Sequence, residues 1–430
     1  MTRREAILLL AAARPLAAAV SRQDAQFLDD LRRRAFRFFW EQADTRTGLI
    51  LDRCLSDGSR VRTSRANVSS IAATGFGLSA LAIGATHGWI TESEAMEPTR
   101  AALRFFAREA RHEHGWFFHF LDAATGERAG NCEVSSIDTG LLLAGILTVR
   151  QRFKDPEISR LAGAIYDRID FPWMLNGHPT LLSHGWKPES GFLRYRWDRF
   201  NELPILYALA IGAPMHSIPP AAWYAWERPR IAYAAFAYVG DSDLFTQQYP
   251  QAWLDLRGMR DAEPSSIDYF RNSIAATRAH RAFCLELSQR FPKSYSENVW
   301  GITASDYPRG YTGWGGPPAH GPIDGTVVPC AAGGSLMFTP DISIPALAAM
   351  RDRYGDRVWG RYGFCDAFNP TTGWVDSDVL GIDTGIILLS AENLRTGNLW
   401  RWFMRNPEIS RALSLAKFNK TAAAASARSA

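Results

Sequence analysis

Hydrophobic positions along the chain fall into two kinds of helical segment. From Asp24 to about Gln42, Phe27, Leu28, Leu31, Ala35, Phe38 and Phe39 recur at helical spacing with arginines between them. That pattern predicts an amphipathic helix with one buried face. Ser69 to Gly84 is apolar nearly all round, which predicts a helix enclosed by others. Thr91-Glu92-Ser93-Glu94 has the form of a capping box and opens a third helix toward Ala110. An aromatic loop, His112 to Glu133, leads into the apolar run Leu141 to Leu147. Asp155-Pro156-Glu157 then starts another amphipathic helix to about Ile169, with proline at a tolerated first-turn position. Loop from Phe171 to Phe200 precedes the apolar Asn201 to Ile211, and Trp223 to Gly258 reads as partly helical. Ile267 to Phe291 is a long helix, and residues 292–329 form a loop rich in Gly, Pro and aromatics. Helices follow around Ile344–Tyr354 and Asp383–Asn393, and from Leu399. Amphipathic and wholly apolar helices thus alternate, as they would in two concentric rings. The expected fold is all-α, an (α/α) barrel. Sustained period-two alternation is missing, so strands should be few, short and confined to loops.

Weak internal repeats support that order. Ser135-Ser136-Ile137-Asp138-Thr139-Gly140 is echoed by Leu380-Gly381-Ile382-Asp383-Thr384-Gly385, and Ala73-Thr74-Gly75 resembles both. In both longer copies an aspartate opens a run too apolar for a surface helix. Asp is a favoured N-cap, so each carboxylate has a purely structural reading. Its recurrence, together with Glu202 at the head of another apolar helix, favours carboxylates that face a shared cavity.

Composition narrows the function. A net charge of +4 with no basic run interleaved with aromatics argues against nucleic acid as a partner. The chain carries 15 Trp, many in Gly/Pro-rich loops, where spare rings suit stacking on apolar sugar faces. Met1-Thr2-Arg3-Arg4 followed by a short apolar stretch reads as a signal peptide over residues 1–22, of twin-arginine type if Arg3-Arg4 is its motif. A periplasmic or secreted protein without a membrane span is expected. Five scattered cysteines leave one or two disulfides open without choosing partners. Residues 24–415 read as one domain and 416–430 as a disordered tail.

The candidate chemistry is carboxylate chemistry. Glycoside hydrolysis needs one carboxyl to protonate the leaving oxygen and another to activate water or attack carbon. Glu202, in Phe200-Asn201-Glu202-Leu203-Pro204, has apolar neighbours that should raise its pKa and suit a general acid. Asp383, at a helix start, should stay ionised and suit a base, with Asp138 as the third catalytic candidate. Glu133, Trp116, His119, Trp186, Trp197, Asp306, Tyr311 and Trp314 are candidates for holding substrate, and His184 could hydrogen-bond it. No G-x-S-x-G elbow, phosphate loop or metal-ligand spacing is present, so neither metal nor cofactor is expected.

Several motifs in one order resemble the glucoamylase-like family related to glycoside hydrolase family 144. They are Ser183-His184-Gly185-Trp186-Lys187-Pro188-Glu189-Ser190-Gly191-Phe192-Leu193, Trp197-Asp198-Arg199-Phe200-Asn201-Glu202, Trp300-Gly301-Ile302-Thr303-Ala304-Ser305-Asp306 with Gly310-Tyr311, and Gly381-Ile382-Asp383-Thr384-Gly385 with Glu392-Asn393. The resemblance runs from about residue 30 to 405. It implies an (α/α)6 toroid, hydrolysis of β-1,2-glucan by inversion and without a metal, Glu202 as the acid and Asp383 as a second essential acid. Asn131 to Asp138 departs from the family pattern: Asp138 stands where the family has glutamate, and Glu133 in place of a loop aspartate. The substrate expected is an oligo- or polysaccharide, acted on by a monomer. The competing readings are a glucan transglycosylase on the same scaffold and a non-catalytic glycan-binding protein.

Overall fold

The computed structural model describes residues 20–241, 243–318 and 321–421. Nearly all of the expected signal peptide, and the tail beyond residue 421, lie outside these residues. The described chain is mostly helical, and its strands are short pieces of two to four residues paired in small antiparallel ribbons.

Helices of two kinds alternate along the chain. Ile71–Thr86, Ser136–Arg152, Leu203–Gly212, Phe245–Trp253, Pro329–Gly333 and Gly381–Arg395 are buried along most or all of their length. Arg22–Glu41, Glu92–Arg108, Pro156–Asp167 and Pro407–Leu415 bury one face each. The buried helices follow one another through a closed circuit of neighbours. Ile71–Thr86 packs on Ser136–Arg152, which packs on Leu203–Gly212, which meets Phe245–Trp253. Gly381–Arg395 packs on both Phe245–Trp253 and Pro329–Gly333 and returns to Ile71–Thr86. Amphipathic helices cover this circuit from outside: Arg22–Glu41 lies on Ile71–Thr86 and Gly381–Arg395, and Pro407–Leu415 on Leu203–Gly212.

Glycine makes the tightest crossing possible. A Cβ on Gly145 would sit 2.1 Å from the Gly75 carbonyl oxygen, and one on Gly75 would sit 2.3 Å from the Leu141 carbonyl oxygen. Backbone therefore meets backbone between Ile71–Thr86 and Ser136–Arg152, an approach that any side chain would block.

The polar faces of the outer helices start with the capping chemistry read from the sequence. Thr91 and Glu94 form the reciprocal box, and Asp155 caps Pro156–Asp167 through the Ile158 N–H. Two expectations change. Residues 416–421, expected in the tail, are ordered: Asn419–Lys420 pairs with Met259–Arg260, and Phe418 packs edge-on against Trp223. No disulfide forms, because all five cysteines are free thiols and four of them are buried.

Candidate active site

Short strands deliver the chain into the buried helices. Val134–Ser135 runs into Ser136–Arg152, and Asp378–Leu380 runs into Gly381–Arg395. At the first junction Ser135, not Asp138, is the N-cap: its hydroxyl accepts the Asp138 N–H at 3.2 Å and donates to Asp138 Oδ2 at 2.5 Å. At the second junction the N-cap is Leu380, which has no side chain to bond with. Neither aspartate therefore caps its helix. Both stand in the first turn and line one cavity of about 490 Å³, whose wall also carries Glu202.

Glu202 immediately precedes the Leu203–Gly212 helix, its N–H held by Asn201 Oδ1 at 2.8 Å. Its surface reaches the cavity, yet protein crowds the carboxyl from every other side, and Oε2 has no hydrogen-bond partner. Burial pushes its pKa up to about 8, with a smaller contribution from the negative charges of Asp138, Asp243 and Asp241. A carboxyl in that state is protonated at neutral pH and able to donate.

Asp383 is nearly inaccessible, at 5% exposure. Its Oδ1 accepts from Cys330 Sγ at 3.2 Å and from the Tyr249 hydroxyl at 3.5 Å, while Oδ2 has no such donor. The helix start does not decide its charge, contrary to the expectation from sequence. Burial pushes its pKa above the ordinary aspartate value, against the pull of hydrogen bonds from Asp366, Cys330 and Tyr249. Asp366 is itself buried, and burial and the charge of Asp383 push its pKa well up.

Also lining the cavity, His119 bridges two acids, with Nδ1 3.0 Å from Glu133 Oε1 and Nε2 3.4 Å from Asp138 Oδ1. Burial works against a charged ring here, but Asp138 and Glu133 outweigh it and raise the histidine pKa. The same hydrogen bond holds Glu133 down at about 2. This wall is thus an anchored ion triad, unlike the neutral carboxyl of Glu202.

Of the residues singled out in the sequence, Glu202, Asp383, Asp138, Glu133, His119, Trp197 and Tyr311 share the cavity wall, as does His184. Trp197 stacks on His184 with ring centroids 3.9 Å apart, and its indole N–H is bound to Ser136. Four candidates need correction. Trp116 is fully buried, its indole N–H bound to the Asp170 carbonyl, and Trp314 is a core ring whose N–H donates to Ser305. Trp186 packs against Trp173 and is not on the cavity wall. Asp306 is a buried ion-pair partner of Arg53, one layer behind the wall. Trp116 and Trp314 fill the core and Asp306 is committed to Arg53, while Trp186 is half-buried outside the cavity wall.

Sequence reasoning missed Arg53, Arg65, Tyr249 and Asp366. Arg53 lies in a three-residue strand paired to Asp378–Leu380, and its guanidinium reaches Asp52, Asp306 and Asp378. A spacing rule could not have found it, because two of its three partners, Asp306 and Asp378, lie 253 and 325 positions away. Among the described residues, two groups bring metal-type donors within 4.8 Å of one another, His119–Glu133–Asp138 and Asp306–Asp366–Asp376. In the first, the imidazole already engages both acids, and in the second, Arg53 already engages Asp306.

The Glycoamylase family model matches residues 194–407. An exo β-1,2-glucooligosaccharide sophorohydrolase (non-reducing end) of Parabacteroides distasonis is 27% identical over 91% of this chain. The chain spans only 57% of that relative's length. Among solved structures, an endo-β-1,2-glucanase of Chitinophaga pinensis, in complex with sophorotriose and glucose, superposes with a TM-score of 0.81. It is 27% identical and aligns over 92% of this chain and 99% of its own. A β-1,2-glucanase of Parabacteroides distasonis gives a TM-score of 0.82 at 26% identity, over 92% of this chain and 60% of its own. Matched by the Glycoamylase family model from the loop before Glu202 through the Asp383 helix, and alike in fold along nine-tenths of its length to β-1,2-glucanases, the chain is similar to the glucoamylase-like family.

Proposed function

We propose that this protein is a glycoside hydrolase that cleaves β-1,2-glucan with inversion, on an (α/α)6 toroid. The observation that carries the reading is that Glu202, whose pKa is pushed up to about 8, lines one cavity together with Asp383 and Asp138. Glucan hydrolysis requires a proton donor and a proton acceptor held in different environments, and these side chains differ in that way.

In the proposed reaction Glu202 gives its proton to the glycosidic oxygen as the bond from that oxygen to the anomeric carbon breaks. A water on the opposite face of the sugar attacks the anomeric carbon and passes its proton to Asp383. Both electron pairs are accounted for: one leaves with the departing sugar hydroxyl, and one comes from water into the new C–O bond. The His119–Glu133–Asp138 wall supplies hydrogen bonds to sugar hydroxyls, and Trp197 and Tyr311 supply ring surface. No helix among the described residues is long and apolar enough to cross a membrane. The proposed form is a monomer exported to the periplasm or beyond.

Incubation of the purified protein with linear β-1,2-, β-1,3- and β-1,4-glucans tests the reading. Reducing ends should appear from the β-1,2-glucan alone, and the first-formed anomer should be α by polarimetry or NMR. Net chain transfer without new reducing ends would replace hydrolysis with transglycosylation, and binding without any cleavage would leave a glycan-binding protein.

A further inference from the structure

We infer that Asp366 is a positioning residue for Asp383: the two buried carboxyls share one proton, carried by Asp366 and donated to Asp383 as a hydrogen bond. The kinetic part of this inference rests on the proposed function, whereas the shared proton does not.

Asp366 lies in the turn between the strands Gly363–Phe364 and Phe368–Asn369 and is 3% exposed. Its own N–H donates to the Asp378 carbonyl at 3.0 Å, and its Oδ2 accepts the Asp306 N–H at 2.7 Å. Its Oδ1 has no donor, and neither does Asp383 Oδ2. The two side chains are nonetheless within hydrogen-bonding reach of each other. Two ionised carboxylates offer one another only lone pairs, so this contact requires a proton between them. Each orphaned oxygen then has the partner it lacks, which buried polar atoms rarely go without.

The surroundings decide which side chain keeps the proton. Asp383 Oδ1 is served by two donors, Cys330 Sγ and the Tyr249 hydroxyl. Asp366 receives one backbone donor. The titratable groups around it are the carboxyls of Asp306, Asp376 and Asp383, the thiols of Cys330 and Cys365 and the phenol of Tyr311, while Arg53 acts on Asp383. Negative charge therefore settles on Asp383, and Asp366 stays neutral. A neutral donor fixes the orientation of the Asp383 carboxylate and lowers its proton affinity below what burial alone would impose. Two carboxyls that cannot both ionise and divide one proton recur where acid–base work is done.

Two variants separate the roles. Asp366→Asn keeps a neutral donor and removes the proton, and Asp366→Ala removes both. In the substrate-free protein near neutral pH, the infrared difference between wild type and Asp366→Asn should show the loss of one protonated-carboxyl C=O stretch. On β-1,2-glucan, Asp366→Asn should keep kcat within about fivefold of wild type, with its acid limb in place. Asp366→Ala should lose about 100-fold in kcat at similar KM, with the acid limb moved up by about one pH unit or more. A difference spectrum without that band overturns the shared proton. A band lost while both variants keep wild-type kinetics and acid limb overturns the positioning role. A chelator that lowers stability and activity, with Ca²⁺ restoring both, would assign the neutralising charge to a cation and overturn the inference. The band's loss in a protein inert toward β-1,2-glucan would refute the glucanase reading while supporting the proton pair.

Discussion

A glutamate that stays uncharged at neutral pH costs the folded protein stability, and Glu202 is such a residue. Its pKa rises from an ordinary 4.5 to about 8 on folding. The native state therefore binds the proton more tightly than the unfolded chain, and stability falls as pH climbs from about 4.5 to about 8. At pH 7 the accumulated loss is up to ~3 kcal/mol, from about 1.4 kcal/mol per pH unit. Glu202→Gln removes that burden with the carboxyl. The expected outcome is a variant that melts at a higher temperature than wild type at pH 7, with the gap closing toward pH 4. The same variant should lose about 10²–10⁴ in kcat on β-1,2-glucan, the usual worth of a positioned acid. For wild type, kcat/KM should fall as pH rises through about 8 in the substrate-free enzyme, because the acid must hold its proton. A Glu202→Gln variant that is less stable than wild type, or an alkaline limb unchanged by it, would remove Glu202 from the role. At this scale the sequence was informative about carboxyls that begin apolar helices, since Leu203 follows Glu202 and Phe200 lies two positions before it. It was misleading about tryptophans: nothing in the loop sequence around Trp116 or Trp314 distinguishes a ring that lines a cavity from one that fills the core.

Among elements, legibility followed hydrophobic pattern. Ile71–Thr86, Ser136–Arg152 and Leu203–Gly212 are apolar on every face and were readable as buried helices. Phe245–Trp253, inside a stretch read only as partly helical, was not recognisable as a buried helix because its buried positions include Gln247, Gln248 and Gln251, whose amide N–H groups find acceptors on other elements. A buried helix whose polar side chains are paired through the fold carries no apolar signature, and Tyr249, which touches Asp383, was lost with it. Pro329–Gly333, five residues long, is too short for any period to show. The Gly75–Gly145 crossing tests how closely the readable helices must fit. Gly145→Ala would place a methyl 2.1 Å from a carbonyl oxygen on a rigid neighbouring helix. Helix propensity favours alanine by about 1 kcal/mol, whereas overpacking costs about 1–3 kcal/mol or more, so the clash should win. A lowered urea midpoint is expected for Gly145→Ala, while Gly163→Ala, with open space at its Cβ, should hold or gain stability. An equal response at both glycines would mean that the crossing is not tight.

Over the whole molecule, the fold depends on joining the start of the chain to its end. Arg22–Glu41 covers Gly381–Arg395, and Arg53–Leu55 pairs with Asp378–Leu380 directly before Asp383. Between the two helices Arg32 Nη1 lies 2.5 Å from Glu392 Oε2, and His87 Nε2 lies 2.9 Å from the same oxygen. Glu392 is wholly enclosed. Burial works against its charge, yet His87, Thr396 and Arg32 together hold its pKa down at about 2. The motif pair around Asp383 and Glu392 was visible in the sequence, but the partners of Glu392 were not, since Arg32 is 360 positions away. Because its folded pKa is depressed, the glutamate contributes stability that is complete above about pH 4.5 and is lost as pH falls toward about 2. The shift corresponds to ~3 kcal/mol. Glu392→Gln leaves the buried Arg32 charge short of a partner, for which about 3–5 kcal/mol is the usual penalty. In thermal unfolding, Glu392→Gln should melt well below wild type at pH 7, and the two curves should converge as pH approaches 2. A gap as wide at pH 2 as at pH 7 would show that packing, and not this charge, holds the two ends of the chain together.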